Sequence, residues 1–442
     1  MAWKTEKFKT IIEHKSGYTW SKEQETKFPE PKTVRVLTVS NIQKELDLTS
    51  ELYLKNVSET DKLKKAVSKD WSIAVSSNGN RKRIGNAVFV DEDSEYLFAS
   101  FLTAFKPKEG SDIRPEYFFR WLSSHNIQER ITAVSEGTTG LGNLDIRFLR
   151  NMEVDYPENE KEQKAIETIL SKVDDAIEAT QTSIKAAEKL KKALMQNLLT
   201  GKLKPDGTWR TEDEFWEDEK FGRVPVGWEV ARVKDYGFVQ TGKTPPTAEP
   251  KVFSETENEK RFPFITPGDL GDSKYVSISE RYVTEKGIGF SYKLPPNTIC
   301  VVCIGSTIGK IGITSKESCT NQQINALIAN DNNSSEFFYY MMEYRKPHFK
   351  EIAGINATPQ INKSGFNKYK LLRPKSKEEQ EAIANKLKSV DADQLSKRSK
   401  IKTLQRLKKS LMQNLLTGKV RLPEEFINQF EVEENNKEVI TE

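Results

Sequence analysis

Apolar residues fall at steps dominated by three and four from Ile166 through Leu170, Val173 and Ile177 to Ile184, Leu194 and Leu198. The same rhythm returns from Ile383 through Leu387, Val390, Ile401 and Leu404 to Leu411 and Leu415. This spacing predicts two amphipathic helices, each with a narrow apolar stripe. Pro157 and Pro374 stand just upstream, where proline can open a helix, and Gly201 and Gly418 stand just past the last apolar turn as stops. Each helix is expected to run about 40 residues, or about 60 Å at 1.5 Å per residue. A stripe this narrow on a helix this long needs a partner helix.

The two helices are copies of one another. Residues 190–202, LKKALMQNLLTGK, return as residues 407–419, LKKSLMQNLLTGK, at a constant offset of 217 (Leu194 against Leu411). The match holds without a gap back to Glu162-Gln163-Lys164-Ala165-Ile166 against Glu379-Gln380-Glu381-Ala382-Ile383. Twins in one chain favour pairing with each other, antiparallel and about a pseudo-two-fold axis, over two separate homodimeric coiled coils.

The segments between the helices are related too. Residues from Trp3 to Gly17-Tyr18-Thr19 match Trp228 to Gly242-Lys243-Thr244 at an offset of 225, and beyond that the copies diverge. Both read as α/β. Strands are expected at residues 71–75 and 87–90 in the first copy and at 298–304 and 311–313 in the second. Aromatic-rich helical stretches follow, at 115–122 and 336–342. The resulting plan is a first globule (1–157), a long helix (158–204), an acidic linker (205–221), a second globule (222–374), a second long helix (375–421) and an acidic, disordered tail (422–442).

Composition narrows the class. The 442 residues are 36% hydrophobic and 30% charged, which suits a soluble chain of two to four domains. No run approaches the ~18 apolar residues of a membrane span, and Met1-Ala2-Trp3-Lys4-Thr5-Glu6-Lys7 lacks a signal peptide's apolar core. Three cysteines (Cys300, Cys303, Cys319) exclude a disulfide framework, so a cytoplasmic location is expected. The net charge of +4 is mild. The linker and tail concentrate acid (Glu212, Asp213, Glu214, Glu217, Asp218, Glu219; Glu424, Glu425, Glu431, Glu433, Glu434, Glu438, Glu442), leaving globules and helices basic, as at Arg81-Lys82-Arg83. Basic surfaces suit phosphate backbones, though helix lysines also serve as a solvated face.

Candidate chemistry mostly fails on inspection. Gly237-Phe238-Val239-Gln240-Thr241-Gly242-Lys243-Thr244 fits the phosphate-loop pattern, but Pro245-Pro246 follows where the required helix would begin. Gly305-Ser306-Thr307-Ile308-Gly309-Lys310 reads as a hairpin tip suited to phosphates or base edges, with Ser76 to Gly85 as its counterpart. Cys300-x-x-Cys303 lies inside an apolar strand and lacks further ligands; His14, His125 and His348 are scattered. No nucleophile elbow or dinucleotide fingerprint is present, Gly137-Thr138-Thr139-Gly140-Leu141-Gly142 reading as a polar loop. No residue set carries bond-breaking chemistry.

Two divergent globules alternating with two repeated helices, each opened by Pro and Glu-Gln-x-Ala-Ile and closed by Leu-Leu-Thr-Gly-Lys, resemble the specificity subunit of a type I restriction-modification enzyme. Gly-x-Thr near each globule's start and Pro225-Val226-Gly227-Trp228 add to the likeness; Trp20 after Thr19 departs from it, where proline is usual. The resemblance implies a fold of two α/β target-recognition domains separated by two long helices paired as an antiparallel coiled coil. It implies a non-catalytic subunit, each globule reading half of a split, asymmetric site on double-stranded DNA, the helices fixing the spacer and docking two methyltransferase subunits. Restriction subunits would join them. S-adenosylmethionine, and ATP with Mg for restriction, would be used by those partners, and no cofactor or metal by this chain.

Base reading calls for paired donors and acceptors. The candidates are Asn78, Asn80, Arg81, Lys82, Arg83, Thr138, Thr139 and Asn143 in the first globule, and Ser306, Thr307, Lys310, Gln322, Gln323, Asn356, Thr358 and Gln360 in the second. Two competing readings are a stand-alone nucleotide-dependent nuclease or methyltransferase, and a coiled-coil adaptor without DNA.

Overall fold

A computed structural model describes residues 2–135, 141–254, 261–354 and 359–431. The chain divides into two units: Met1–Gln181 with Ser399–Glu442, and Thr182–Arg398. The two long helices, Glu160–Leu198 and Lys377–Leu415, have 39 residues each. Each unit takes the first half of one helix and the second half of the other.

Within each unit the helix halves run antiparallel. In the first, Arg421 pairs with Glu162 and Lys408 with Asp174. In the second, Arg398 pairs with Glu188 at 3.0 Å and Lys191 with Asp391 at 2.5 Å. Partner numbers fall along one helix as they rise along the other. Ile166 and Leu170 share a core with Met412, Leu415 and Leu416, and Leu198 and Leu199 share one with Ile383, Ala384 and Leu387. The helices stop as their glycines require. Gly201 and Gly418 have φ of 69° and 66°, and Leu203 and Val420 donate back to Asn197 O and Asn414 O at 3.0 and 3.1 Å.

The Glu-Gln pair shared by both helices explains why the repeat keeps it. Glu162 is fully buried and accepts from Arg421 Nε and Nη2 at 2.7 and 2.6 Å, with the guanidinium over the Trp3 ring. Its twin Glu379 accepts from Arg210 and from the Trp228 indole. Replacing Arg421 strands a carboxylate without its cation. Arg421→Ala is expected to lower the stability of the first unit by about 3 kcal/mol in urea unfolding, with Arg421→Lys recovering only part, because lysine cannot make the bidentate contact.

The globules repeat one plan. A collar strand pair, Trp3–Lys7 with Glu153–Pro157, has its counterpart in Trp228–Arg232 with Lys370–Pro374. The first core sheet is antiparallel in the order Ile12–Ser16, Leu102–Pro107, Ser72–Val75, Ala87–Phe89. The second runs Gly237–Thr241, Ile324–Ala329, Ile299–Val302, Ile311–Thr314, Tyr275–Val276. The central strands Ser72–Val75 and Ile299–Val302 are buried at every position, which accounts for their unbroken runs of small and apolar residues. Helix Pro115–Leu122 buries Tyr117, Phe118, Trp121 and Leu122, and Ser335–Ile352 buries six aromatic and methionine side chains in the second unit.

The acidic linker has structure of its own. Phe215–Asp218 and Gly222–Pro225 form an antiparallel hairpin, and its acids are engaged: Glu214 with Lys204 at 2.7 Å, Glu212 with Arg223. The expected disordered tail also begins ordered, with helix Glu424–Ile427 burying Ile427; residues 432–442 lie outside the described residues. Among the described residues no helix is long and apolar enough to cross a membrane.

Candidate nucleic-acid interface

The phosphate-loop pattern is structurally something else. Gly237–Thr241 is a strand paired along its length with Ile324–Ala329, and no helix follows Lys243. Cys300 and Cys303 lie in different apolar clusters, and among the described residues no group of His, Cys, Asp or Glu could hold a metal. Burial pushes the Cys300, Cys303 and Cys319 thiols up to about 12, so they stay protonated at neutral pH. The expected result is no labelling by a thiol reagent at pH 8 in the native state and three labelled cysteines after unfolding, read by mass.

The described sequence candidates gather instead around the hairpin that follows the central strand of each core sheet, Ser72–Val75 and Ile299–Val302. In the first unit, Ser77–Asn78 pairs with Gly142–Asn143, which sets Asn143 opposite Ser77 and Gly142 opposite Asn78. The turn Arg81–Arg83 continues the hairpin, and Asn80 Oδ1 caps it by accepting from Lys82 N at 3.1 Å. Asn80, Arg81, Lys82 and Asn143 are exposed, and Asn78 is half-buried. In the second unit the same hairpin carries exposed Ser306 and half-buried Thr307. Gln360 bridges to Ile304, and Gln323 Nε2 donates to Ile304 O at 3.4 Å. Gln322 accepts from Thr244 Oγ1 at 2.7 Å, which joins the Gly-x-Thr loop to the cluster. Thr138, Thr139, Asn356 and Thr358 lie outside the described residues.

Two of the candidate cations are tethered. Arg83 Nη2 donates to Val39 O and Ile42 O at 3.1 and 2.7 Å, and Lys310 Nζ donates to Pro267 O at 3.3 Å. Both reach the same structural feature, a short turn opened by a threonine: Thr38 before Val39–Asn41, Thr266 before Pro267–Asp269. Their positive charge therefore braces the hairpin as well as lining it.

Main-chain hydrogen bonds extend the correspondence to positions the sequence hides. Leu102 N donates to Ala99 O at 2.9 Å, and Ile324 N to Asn321 O at 3.2 Å. Gly17 N reaches Leu102 O as Gly242 N reaches Ile324 O, and Tyr18 N reaches Phe98 O as Lys243 N reaches Thr320 O. A Cβ on Gly17 would collide with Ala99 O, and one on Gly242 with Asn321 O, so both loops require glycine. Trp20 in place of proline thus leaves the first loop equivalent to the second. The turn Ala99-Ser100-Phe101-Leu102 matches Asn321-Gln322-Gln323-Ile324, an offset of 222. Ser100 and Phe101 stand where the second copy has Gln322 and Gln323. Sequence reasoning missed both, because what the two turns share is a set of main-chain bonds and not a pattern of residue types.

Electrostatics fixes the second unit's globule on its helices. Lys274 pairs with Glu336, donates to Tyr340 Oη at 3.0 Å, and lies over that ring. Tyr340 Oη in turn donates to Asp391 on the long helix at 2.6 Å. Burial outweighs these partners and holds the Lys274 ammonium below the usual lysine range. In the first unit Arg120 does the equivalent work, donating to Asp174 at 2.5 Å.

These features define a two-headed specificity module: one backbone frame, built twice, mounting different polar side chains on the same hairpin. Known proteins agree. The family model for the type I restriction modification DNA specificity domain matches residues 2–189 and again residues 225–406. The chain is 25% identical over 394 residues to the type I restriction enzyme HindI specificity subunit of Haemophilus influenzae, spanning 76% of this chain and 84% of that one. It is 30% identical over 211 residues to the type I restriction enzyme MjaIX specificity subunit of Methanocaldococcus jannaschii, spanning 47% of each. The crystal structure of the type I restriction-modification S subunit from M. genitalium shares the fold, with a TM-score of 0.56 at 16% identity over 94% of this chain and 96% of that one. The chain belongs to the type I restriction-modification DNA specificity family. Specificity subunits are the non-catalytic, DNA-recognising components of their complexes.

Proposed function

We propose that each unit reads one half of a split site on double-stranded DNA through its hairpin cluster: Asn78, Asn80, Arg81, Lys82 and Asn143 in the first, Ser306, Thr307, Gln322, Gln323 and Gln360 in the second. The observation that carries this is the pair of matched frames. The glycine loop and the turn coincide bond for bond, and each hairpin is braced by a cation that reaches a threonine-opened turn, while the side chains presented differ. Natural variation confined to the mounted side chains is what two readers of different sequences need. Arginine matches guanine's major-groove edge and the amides match adenine's. The globule boundaries at 1–157 and 222–374 belong to this reading, each holding one frame.

The chain acts in the cytoplasm with two methyltransferase subunits and with restriction subunits. A neighbour of the same fold comes from a study of complex assembly in a type I system. Leu190 and Leu407 support the stoichiometry. They are twins across the repeat, on the two long helices, and 52% and 46% exposed, one in each unit. Twin apolar side chains in water suit two copies of one partner. S-adenosylmethionine, ATP and Mg are used by those partners.

The test is methylation mapping with the partner subunits present. Arg81→Ala and Asn143→Ala should relax one half of the recognised sequence, and Thr307→Ala and Gln360→Ala the other, each by about 1–3 kcal/mol of discrimination at a base pair. Hairpin variants that leave both halves unchanged overturn the reading.

A further inference from the structure

Phe101 is out of place by ordinary rules of burial. It is 51% exposed, although Leu102 beside it is fully buried and the core of the first unit lies directly beneath. A single exposed apolar residue needs no explanation in general. This one is held rigidly: Ser76 N and Ser77 N donate to its carbonyl at 2.8 and 3.2 Å, and Leu102 N closes the turn behind it. Its main chain is thereby fastened to the hairpin strand that pairs Asn78 with Gly142 and Ser77 with Asn143. An exposed aromatic ring is thus mounted on the main-chain frame of the hairpin, at the backbone position where the second copy carries Gln323.

A benzyl side chain has no donor or acceptor to offer a base. The apolar feature that a base pair presents in the major groove is the thymine 5-methyl group. Resting on the hairpin reading proposed above, we infer that Phe101 is a specificity-determining residue that recognises a thymine methyl group in the half-site of the first unit.

The experiment uses the chain in complex with its methyltransferase subunits and duplexes carrying the site found by mapping. Each thymine of the half-site is replaced in turn by deoxyuridine, which removes only the methyl group. One replacement is expected to weaken binding about fourfold, what a single buried methyl is worth. Phe101→Ala should weaken binding to the thymine duplex about tenfold and abolish the penalty at that one position. Phe101→Leu, which keeps an apolar contact, should retain most of it. Absence of any sensitive thymine, or equal sensitivity in wild type and Phe101→Ala, overturns the assignment. So does loss of binding in Phe101→Ala without any deoxyuridine effect, which marks a wedge between base steps instead. Arg81→Ala and Asn143→Ala run alongside: if they alter the half-site while Phe101 stays insensitive, only the Phe101 assignment falls, and if they too are silent, the hairpin reading falls with it.

Discussion

Exchanging residues 222–374 for the matching globule of another family member changes one half of the methylated sequence and leaves the other half as it was. Every described candidate of the second unit lies inside that segment, from Ser306 to Gln360. So does the frame that aims them, including Thr244, Thr266 and the Lys310 brace. Each lost base pair costs about 1–3 kcal/mol, roughly additively, so three or four altered positions reduce methylation at the old site by well over a hundredfold. The donor globule must keep its fastenings: an indole at 228 for Glu379, and a chain able to present Ser334 N and Pro374 O to Gln380. Sequencing methylated adenines in cells carrying the chimera checks the result. A change in both halves contradicts independent reading.

Gln380→Ala is expected to be among the most destabilising single changes in the second unit. The side chain is 1% exposed. Its Oε1 accepts from Ser334 N at 2.9 Å and its Nε2 donates to Pro374 O at 2.9 Å. Alanine leaves a buried N–H and a buried carbonyl without partners, each costing about 1–3 kcal/mol, for a total of about 3–4 kcal/mol. Gln163 holds the first unit by the same geometry, accepting from Arg114 N at 2.8 Å and donating to Asp112 O and Pro157 O at 2.8 and 2.9 Å. Gln163→Ala should cost a similar amount. The double variant should show near-additive losses, since the two side chains share no partner. Urea unfolding with hydrogen exchange at the Ser334 amide measures this; a loss under about 1 kcal/mol contradicts it.

The long helices, their pairing and the duplication are legible in the chain because each rests on side-chain periodicity or literal repetition. Gly201 and Gly418 punctuate the helices for backbone reasons that hold in any context, whereas Pro157 and Pro374, read as openers of the helices, end the collar strands, and the helices begin at Glu160 and Lys377. The central strands are legible as well, being small or apolar at every position. The matched turns at Ala99 and Asn321 are not, because what is shared there is a set of main-chain bonds that Phe101 and Gln323 satisfy equally well. The hairpin at Phe215–Pro225 was hidden by acidic composition, although Glu212 and Glu214 are paired. Arg83 and Lys310 read as surface charge because sequence shows a cation and not the carbonyls it reaches. The proposed polar reading cluster is legible from hairpin chemistry alone, and that same chemistry passes over Phe101, its proposed apolar member.

The assignment of chain to unit has a consequence for synthesis. Thr182–Arg398 is continuous, so the second unit has all its residues once that stretch has left the ribosome. The first unit lacks the strand-bracing helix half that begins at Ser399 until 217 further residues have followed Gln181. At 5–20 residues per second that is a wait of about 10–40 s, during which the Ile166 and Leu170 stripe has no mate. The nascent globule closest to the start of the message is thus the last to mature, and a stop codon near position 399 would spare its younger sibling while leaving it unfinished.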